Sequence, residues 1–153
     1  MHSHQFFMKQ ALKEAQKAMM KDEVPIGAVI VVNDQVVARG HNLREETNDP
    51  TAHAEIVAIR KLTKKKQSWR LEDAKIYVTI EPCSMCAGAI LWTRMQAIIY
   101  GAKDEKGGAC GTCYNLFDQK GLNHTLEIVA GVREAECRNI VQEFFKKKRS
   151  NKL

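Results

Sequence analysis

Two short clusters in this chain set metal-binding side chains beside an acid: His53-Ala54-Glu55, and further along Pro82-Cys83-Ser84-Met85-Cys86. A Cys-x-x-Cys at a helix start brings two sulfurs within reach of one ion, and the free amides and positive dipole end there favour thiolates. One imidazole and two thiolates suit Zn2+, and three protein ligands leave the fourth tetrahedral position open, as in catalytic rather than structural sites. Water in that position has its pKa lowered from about 15.7 toward 7. Glu55, two residues after the histidine, would then lie close to that water without ligating the metal, able to take its proton and pass it on.

Other readings of the same residues compete. A Cys-x-x-Cys can be a thiol redox pair, although that leaves the upstream His-x-Glu unexplained. Cys110-Gly111-Thr112-Cys113 supplies a second pair, so Cys83, Cys86, Cys110 and Cys113 could form a loose zinc ribbon. His53 could also be a hydrogen-bonded core histidine with Glu55 on the surface. Serine at both Cys110 and Cys113 separates these, since the open site keeps one zinc per chain and the ribbon loses its metal.

The elements that must carry these clusters follow from hydrophobic period. Phe7, Ala11, Ala15, Ala18 and Met19 recur at helical spacing between Gln5 and Lys21. Pro25 ends that helix, and 27–32 and 36–40 read as strands of a hairpin turning at Asn33-Asp34. Beyond a polar loop through Asn42 and Asn48, Thr51 is the expected cap of a helix running from near His53 to about Lys64. A strand over 75–80 leads through Pro82 into an apolar helix, 84–92, expected to be buried. Strands follow at 97–102 and 126–130, with a short helix at 115–119 between them. The last two strands are separated by enough chain for a parallel crossover. From Arg133 onward, Cys137, Ile140, Val141, Phe144 and Phe145 form an apolar stripe on a closing helix. Strands alternating with helices give the α/β class, a three-layer α/β/α sandwich with a five-stranded mixed sheet and helices on both faces.

At 153 residues the chain fits a single domain over 1–153, and 44% hydrophobic residues exclude disordered and fibrous classes. No apolar run approaches the roughly 18 residues needed to span a bilayer, so no membrane partner is expected. The amino-terminal stretch does not read as a leader, which predicts a cytoplasmic protein, and His2 and His4 are expected to be solvated without a role. Five cysteines, an odd number, point to metal or redox chemistry rather than disulfides. A formal charge of +6 suits a polyanionic partner, as it suits simple solubility.

His-x-Glu followed by Pro-Cys-x-x-Cys is the signature of the zinc-dependent deaminases. From about Phe6 to Arg149 the chain resembles the bacterial tRNA-specific adenosine deaminases, of cytidine deaminase-like fold. The resemblance is carried by Glu23-Val24-Pro25-Ile26-Gly27-Ala28, His41-Asn42, Asp49 to Glu55, Tyr77 to Cys83, Cys86-Ala87-Gly88-Ala89, Tyr100-Gly101-Ala102, Asn123-His124 and Phe144-Phe145. It implies deamination of the wobble adenosine of a tRNA anticodon loop to inosine, by a homodimer with active sites near the subunit interface.

The resemblance also implies roles for particular residues. Glu55 would deprotonate the zinc-bound water, protonate purine N1 and assist departure of ammonia after attack at C6. Ala54 and Glu81-Pro82 would line the pocket, with the amides of Ala54 and Cys83 near the base. Asn42 matches a residue that bonds the flipped base, and Asp104 one that touches the neighbouring nucleotide. Asn123, Phe145 and Arg149 complete the expected RNA contacts, one of Phe144 and Phe145 being buried and the other near RNA. Lys146, Lys147, Lys148 and Arg149, by themselves a solvated basic end, would neutralise phosphates. The segment 107–116 departs from the family pattern at Cys110, Cys113 and Tyr114, and the two cysteines are expected to be small hydrophobes.

Two rival functions remain at this stage. A free-base deaminase of the guanine or cytosine type has nearly the same metal motifs. A subunit that binds RNA around a structural zinc is the non-enzymatic rival, and the presence of Glu55 argues against it.

Overall fold

The computed structural model describes residues 1–122 and 124–151. Ser3 caps the first helix, α1 (His4–Met20), by accepting a hydrogen bond from the Phe6 amide at 3.1 Å. The hairpin follows as β1 (Gly27–Val32) and β2 (Gln35–His41), antiparallel. Asn33 and Asp34 both have positive φ, 49° and 63°, the two-residue turn whose twist matches that of the strands. A short helix, α2 (Arg44–Thr47), is set into the loop before α3 (Ala54–Lys66). Then come β3 (Ala74–Ile80), α4 (Ser84–Thr93), β4 (Ala97–Ala102), a 3-10 turn (Leu116–Asp118), β5 (Glu127–Val129) and α5 (Glu134–Ser150).

The strands form one mixed sheet in the order β2-β1-β3-β4-β5, with β1 antiparallel to β2 and β3, and β3, β4 and β5 mutually parallel. Alternation along the central strands splits the core in two. Ala28, Ile30, Ile76, Val78 and Ile98 face α3 and α4, packing on Ala54, Ala58, Leu62, Ala87 and Ile90. Val29, Val31, Tyr77 and Ile99 face α1 and α5, packing on Phe7, Met8, Ala11 and Cys137. Strands buried on both faces need a continuous apolar run, which β1 and β4 have. Gly40 lets the sheet approach α3 closely, since a Cβ there would stand 2.5 Å from the Ala54 carbonyl oxygen.

The three-layer expectation matches the observed sheet and helices, while four local expectations need correction. The α3 N-cap is His53, not Thr51, whose hydroxyl instead donates to Asp49 at 2.7 Å. His2 is exposed, as expected, yet its ring meets the Asp34 carboxylate at 3.0 Å and stacks on Phe6; His4 is half-buried, with a ring nitrogen 2.7 Å from the Tyr77 hydroxyl. The α4 helix is covered on one side only; Trp92 is 68% exposed, and Met85, Gly88 and Ala89 are half-buried. Cys110 is buried, as a small hydrophobe would be, but Cys113 is exposed with its thiol 3.1 Å from the Glu105 carbonyl oxygen.

Candidate active site

Because β2, β3 and β4 run in the same direction, the chain leaves all three at one edge of the sheet. That edge, outside the carboxyl ends of strands, is where open α/β sheets carry their sites. It receives Asn42 after β2, Glu81 and Cys83 after β3, and Asp104 after β4; Val24 and Ile26, just ahead of the antiparallel β1, reach it from the other direction. These residues, with Arg44, His53, Ala54, Glu55 and Ile80, line a cavity of about 200 Å3.

Two helix starts meet in this cavity. His53 is the N-cap residue of α3 and Cys83 that of α4, and neither side chain caps its own helix. Each is turned inward: His53 Nδ1 lies 3.7 Å from Cys83 Sγ and 3.5 Å from Cys86 Sγ. The ligand atoms of the three residues lie within 4.8 Å of one another, the one such metal-capable group among the described residues. With Zn–N and Zn–S bonds of about 2.0–2.3 Å at tetrahedral angles, ligand atoms stand roughly 3.6 Å apart, so the group fits zinc in donor type and in size. Cys110 and Cys113 lie outside it.

The electrostatics suit such a site. The Cys83 thiol is pulled down to about 3, first by its hydrogen bond with Cys86 and also by His53, against the opposing effect of burial. Cys86 moves upward beside it, since a hydrogen bond to Cys83 holds its proton. His53 is raised, chiefly by its hydrogen bond with Cys83. Glu55, in the first turn of α3 and buried, is pushed up to about 7 by burial. A carboxyl poised near neutrality can both accept and return a proton.

The remaining predicted residues divide into groups. Asn42, Ala54 and Asp104 line the cavity with the metal-capable group. The Asn42 amide is also occupied locally, its oxygen accepting from the Arg44 amide at 3.1 Å and its nitrogen donating to the Val24 carbonyl at 3.3 Å. Pro82 is buried and is not among the lining residues; its carbonyl accepts from the Ala109 amide. Phe145 and Arg149 lie apart, along a shallow groove on α5 with Lys106 and Lys146, while Phe144 is 7% exposed against 43% for Phe145. Asn123 lies outside the described residues.

The resemblance places Glu81 in the pocket lining, and the structure adds what it holds. Its buried carboxylate accepts from the amides of Asp104, Cys110 and Thr112 at 3.0–3.1 Å and from the Thr112 hydroxyl, fastening the loop that carries Asp104. Gly108 is required beside it, since a Cβ would fall 2.5 Å from that carboxylate. Glu23 does the same for α2, accepting from the Glu45 and Glu46 amides at 3.0 and 2.7 Å. Neither acid stands in a spacing that marks it for this role; only the fold brings the loop amides to them.

A buried acid beside a one-histidine, two-cysteine group at the carboxyl edge of a five-stranded sheet defines the deaminase class of the cytidine deaminase-like folds. Comparisons with known proteins agree and narrow it. The MafB19-like deaminase family matches residues 2–149. A tRNA-specific adenosine deaminase of Bacillus subtilis (strain 168) is 47% identical over 152 residues, 99% of this chain and 94% of that protein. A structure from a study of A-to-I editing by tRNA:A34 deaminases at the wobble position superposes with a TM-score of 0.83 at 44% identity, covering 88% of this chain and 98% of that one. A guanine deaminase from Bacillus subtilis is 35% identical with a TM-score of 0.65, covering 82% and 83%. The chain belongs to the MafB19-like deaminases and, within them, to the tRNA-specific adenosine deaminase family.

Proposed function

We propose that this protein hydrolyses the wobble adenosine of a tRNA anticodon loop to inosine and ammonia, with one Zn2+ per chain held by His53, Cys83 and Cys86. The observation that carries this reading is Glu55, buried beside the metal-capable group and pushed up to about 7. Bound zinc supplies Lewis acidity that makes an attacking water available at neutral pH. Glu55 accepts a proton from the water, delivers it to purine N1 and assists the amine as it leaves C6. Ala54 and Asn42 hold the base, Asp104 faces the adjoining nucleotide, and Pro82 sets the turn that presents Cys83. Phe145 and Arg149, with Asn123, contact the rest of the RNA. A loop adenosine suits this site because flipping it out forfeits little pairing.

Support for an RNA substrate comes from the relatives' names, the charge of +6 and the groove lined by Lys106, Phe145, Lys146 and Arg149. A homodimer accounts for the outer side of α4, where Trp92 is exposed and Met85, Gly88 and Ala89 are only half-buried by the described residues. No described helix is long and apolar enough to cross a membrane, and the proposed tRNA substrate carries with it a proposed cytoplasmic location. The guanine deaminase similarity supports a free-base alternative. Incubating the zinc-loaded protein separately with an anticodon stem-loop bearing a wobble adenosine and with guanine decides between them. Inosine in the stem-loop and unreacted guanine is the expected result; guanine turnover with an untouched stem-loop would overturn the proposal.

A further inference from the structure

Of the eight arginines in the sequence, five pair with carboxylates: Arg39 with Glu14, Arg60 with Asp49, Arg70 with Glu72, Arg133 with Glu136 and Arg138 with Glu134. Arg94 lies over the Trp92 ring at 5.6 Å. Arg44 and Arg149 have no acidic or aromatic partner among the described residues, and both line cavities. Arg149 belongs to the RNA groove already proposed. Arg44 has been given no role, yet it stands on the rim of the catalytic cavity.

Its backbone is held while its side chain is not. The Arg44 amide donates to Asn42, and the next two amides donate to the buried Glu23 carboxylate. Asp104 on the same rim forms no ion pair with it among the described residues; its Oδ1 accepts from the Lys106 and Gly107 amides of its own loop. The cavity, at about 200 Å3, is smaller than the roughly 300–1,000 Å3 that encloses a whole drug-sized ligand. It can take a planar base and leave sugar and phosphate at the rim. A free base brings no charge to that rim; a nucleotide within RNA brings phosphates. Arginine is the side chain whose fork matches phosphate oxygens, and an unpaired one need break no ion pair to bind.

We infer that Arg44 is a substrate-binding residue that grips a phosphate next to the flipped adenosine, and that Glu23 is the positioning residue that holds Arg44 at the cavity rim. This rests on the RNA reading above and makes Arg44 a determinant of polynucleotide over free-base substrates.

The test couples protein and RNA changes. Zinc-loaded wild type, Arg44→Ala and Arg44→Lys are assayed on the anticodon stem-loop and on two versions carrying a neutral methylphosphonate 5′ or 3′ of the wobble adenosine. Arg44→Ala should raise KM about tenfold, as expected for a charge-assisted contact of about 1.4 kcal/mol, with kcat within about twofold; Arg44→Lys should recover part of the loss. One methylphosphonate should weaken the wild type by a similar factor and leave Arg44→Ala nearly unaffected. Glu23→Gln should raise KM in the same direction with unchanged zinc content. Additive losses for both methylphosphonates, or an unchanged KM in Arg44→Ala, would overturn the assignment while leaving the RNA reading intact. Failure of the wild type on the unmodified stem-loop would overturn both.

Discussion

At the scale of single residues, the proposed mechanism separates metal binding from proton transfer. His53, Cys83 and Cys86 can hold an ion without Glu55, whose charge state is governed by burial. Glu55→Gln should therefore keep one zinc per chain, measured by elemental analysis, and lower ammonia release at least a thousandfold, the loss expected when a general acid-base group and the reaction steps it serves are removed. In the wild type, Glu55 must be ionised to accept a proton. Its value is raised to about 7, so kcat/KM should fall as pH drops through and below that value, and the charge of bound zinc shifts the midpoint downward. An acid limb that persists unchanged in residual Glu55→Gln activity would assign it to another group. Replacing Cys110 and Cys113 with serine should leave zinc stoichiometry at one, because neither lies in the metal-capable group; loss of metal would restore the ribbon.

At the scale of elements, the site depends on how closely helices and loops are held to the sheet. Gly40 of β2 abuts the first turns of α3, with a prospective Cβ 2.5 Å from the Ala54 carbonyl oxygen and 2.7 Å from the Ala58 amide nitrogen. Both neighbours are helix backbone, so relief requires moving the helix that carries Glu55. Gly40→Ala should cost about 1–3 kcal/mol of stability, read as a lowered Tm, and reduce kcat. A Tm within a degree of wild type would show that α3 yields freely. Glu81→Gln leaves one oxygen to serve three amides and a hydroxyl. Hydrogen exchange at the Cys110 and Thr112 amides should accelerate at least tenfold, and KM should rise as Asp104 loses its support.

At the scale of the whole molecule, two surfaces are the proposed sites of partners. The outer side of α4 exposes Trp92 and leaves Gly88 with nothing within 4 Å of a prospective Cβ, so a second chain can approach closely there. In a two-fold interface any charge introduced meets its own copy or lies near it. Trp92→Glu should convert a dimer to a monomer by light scattering at micromolar concentration, and a monomeric wild type would remove the basis for that face. The second surface is the α5 groove, where binding of RNA should weaken steeply with salt. Arg149→Ala should flatten the plot of log affinity against log salt by about 0.7, one phosphate's share for a single strand. An unchanged slope would place Arg149 away from the backbone.

The sequence by itself determined the deaminase family and most of the architecture. Ligand types at local spacings made His53, Glu55, Cys83 and Cys86 legible, because His-x-Glu and Cys-x-x-Cys each act within one helix turn. Apolar runs likewise announced β1 and β4, whose burial on both faces demands them, and alternation announced β3. Short-range rules failed where a distant group won. Thr51 lost the α3 cap because His53 occupies that position and turns toward cysteines some thirty residues away. His4 looked solvated because its partner, Tyr77, is 73 residues distant. The α2 helix was invisible because a buried acid from before β1 satisfies its first amides. Only the tertiary structure decided that β2, β3 and β4 end at one edge, and so that Asn42, Arg44, Glu81 and Asp104 surround the metal-capable group. Those residues are joined by the direction of strands in the sheet, which no local pattern encodes.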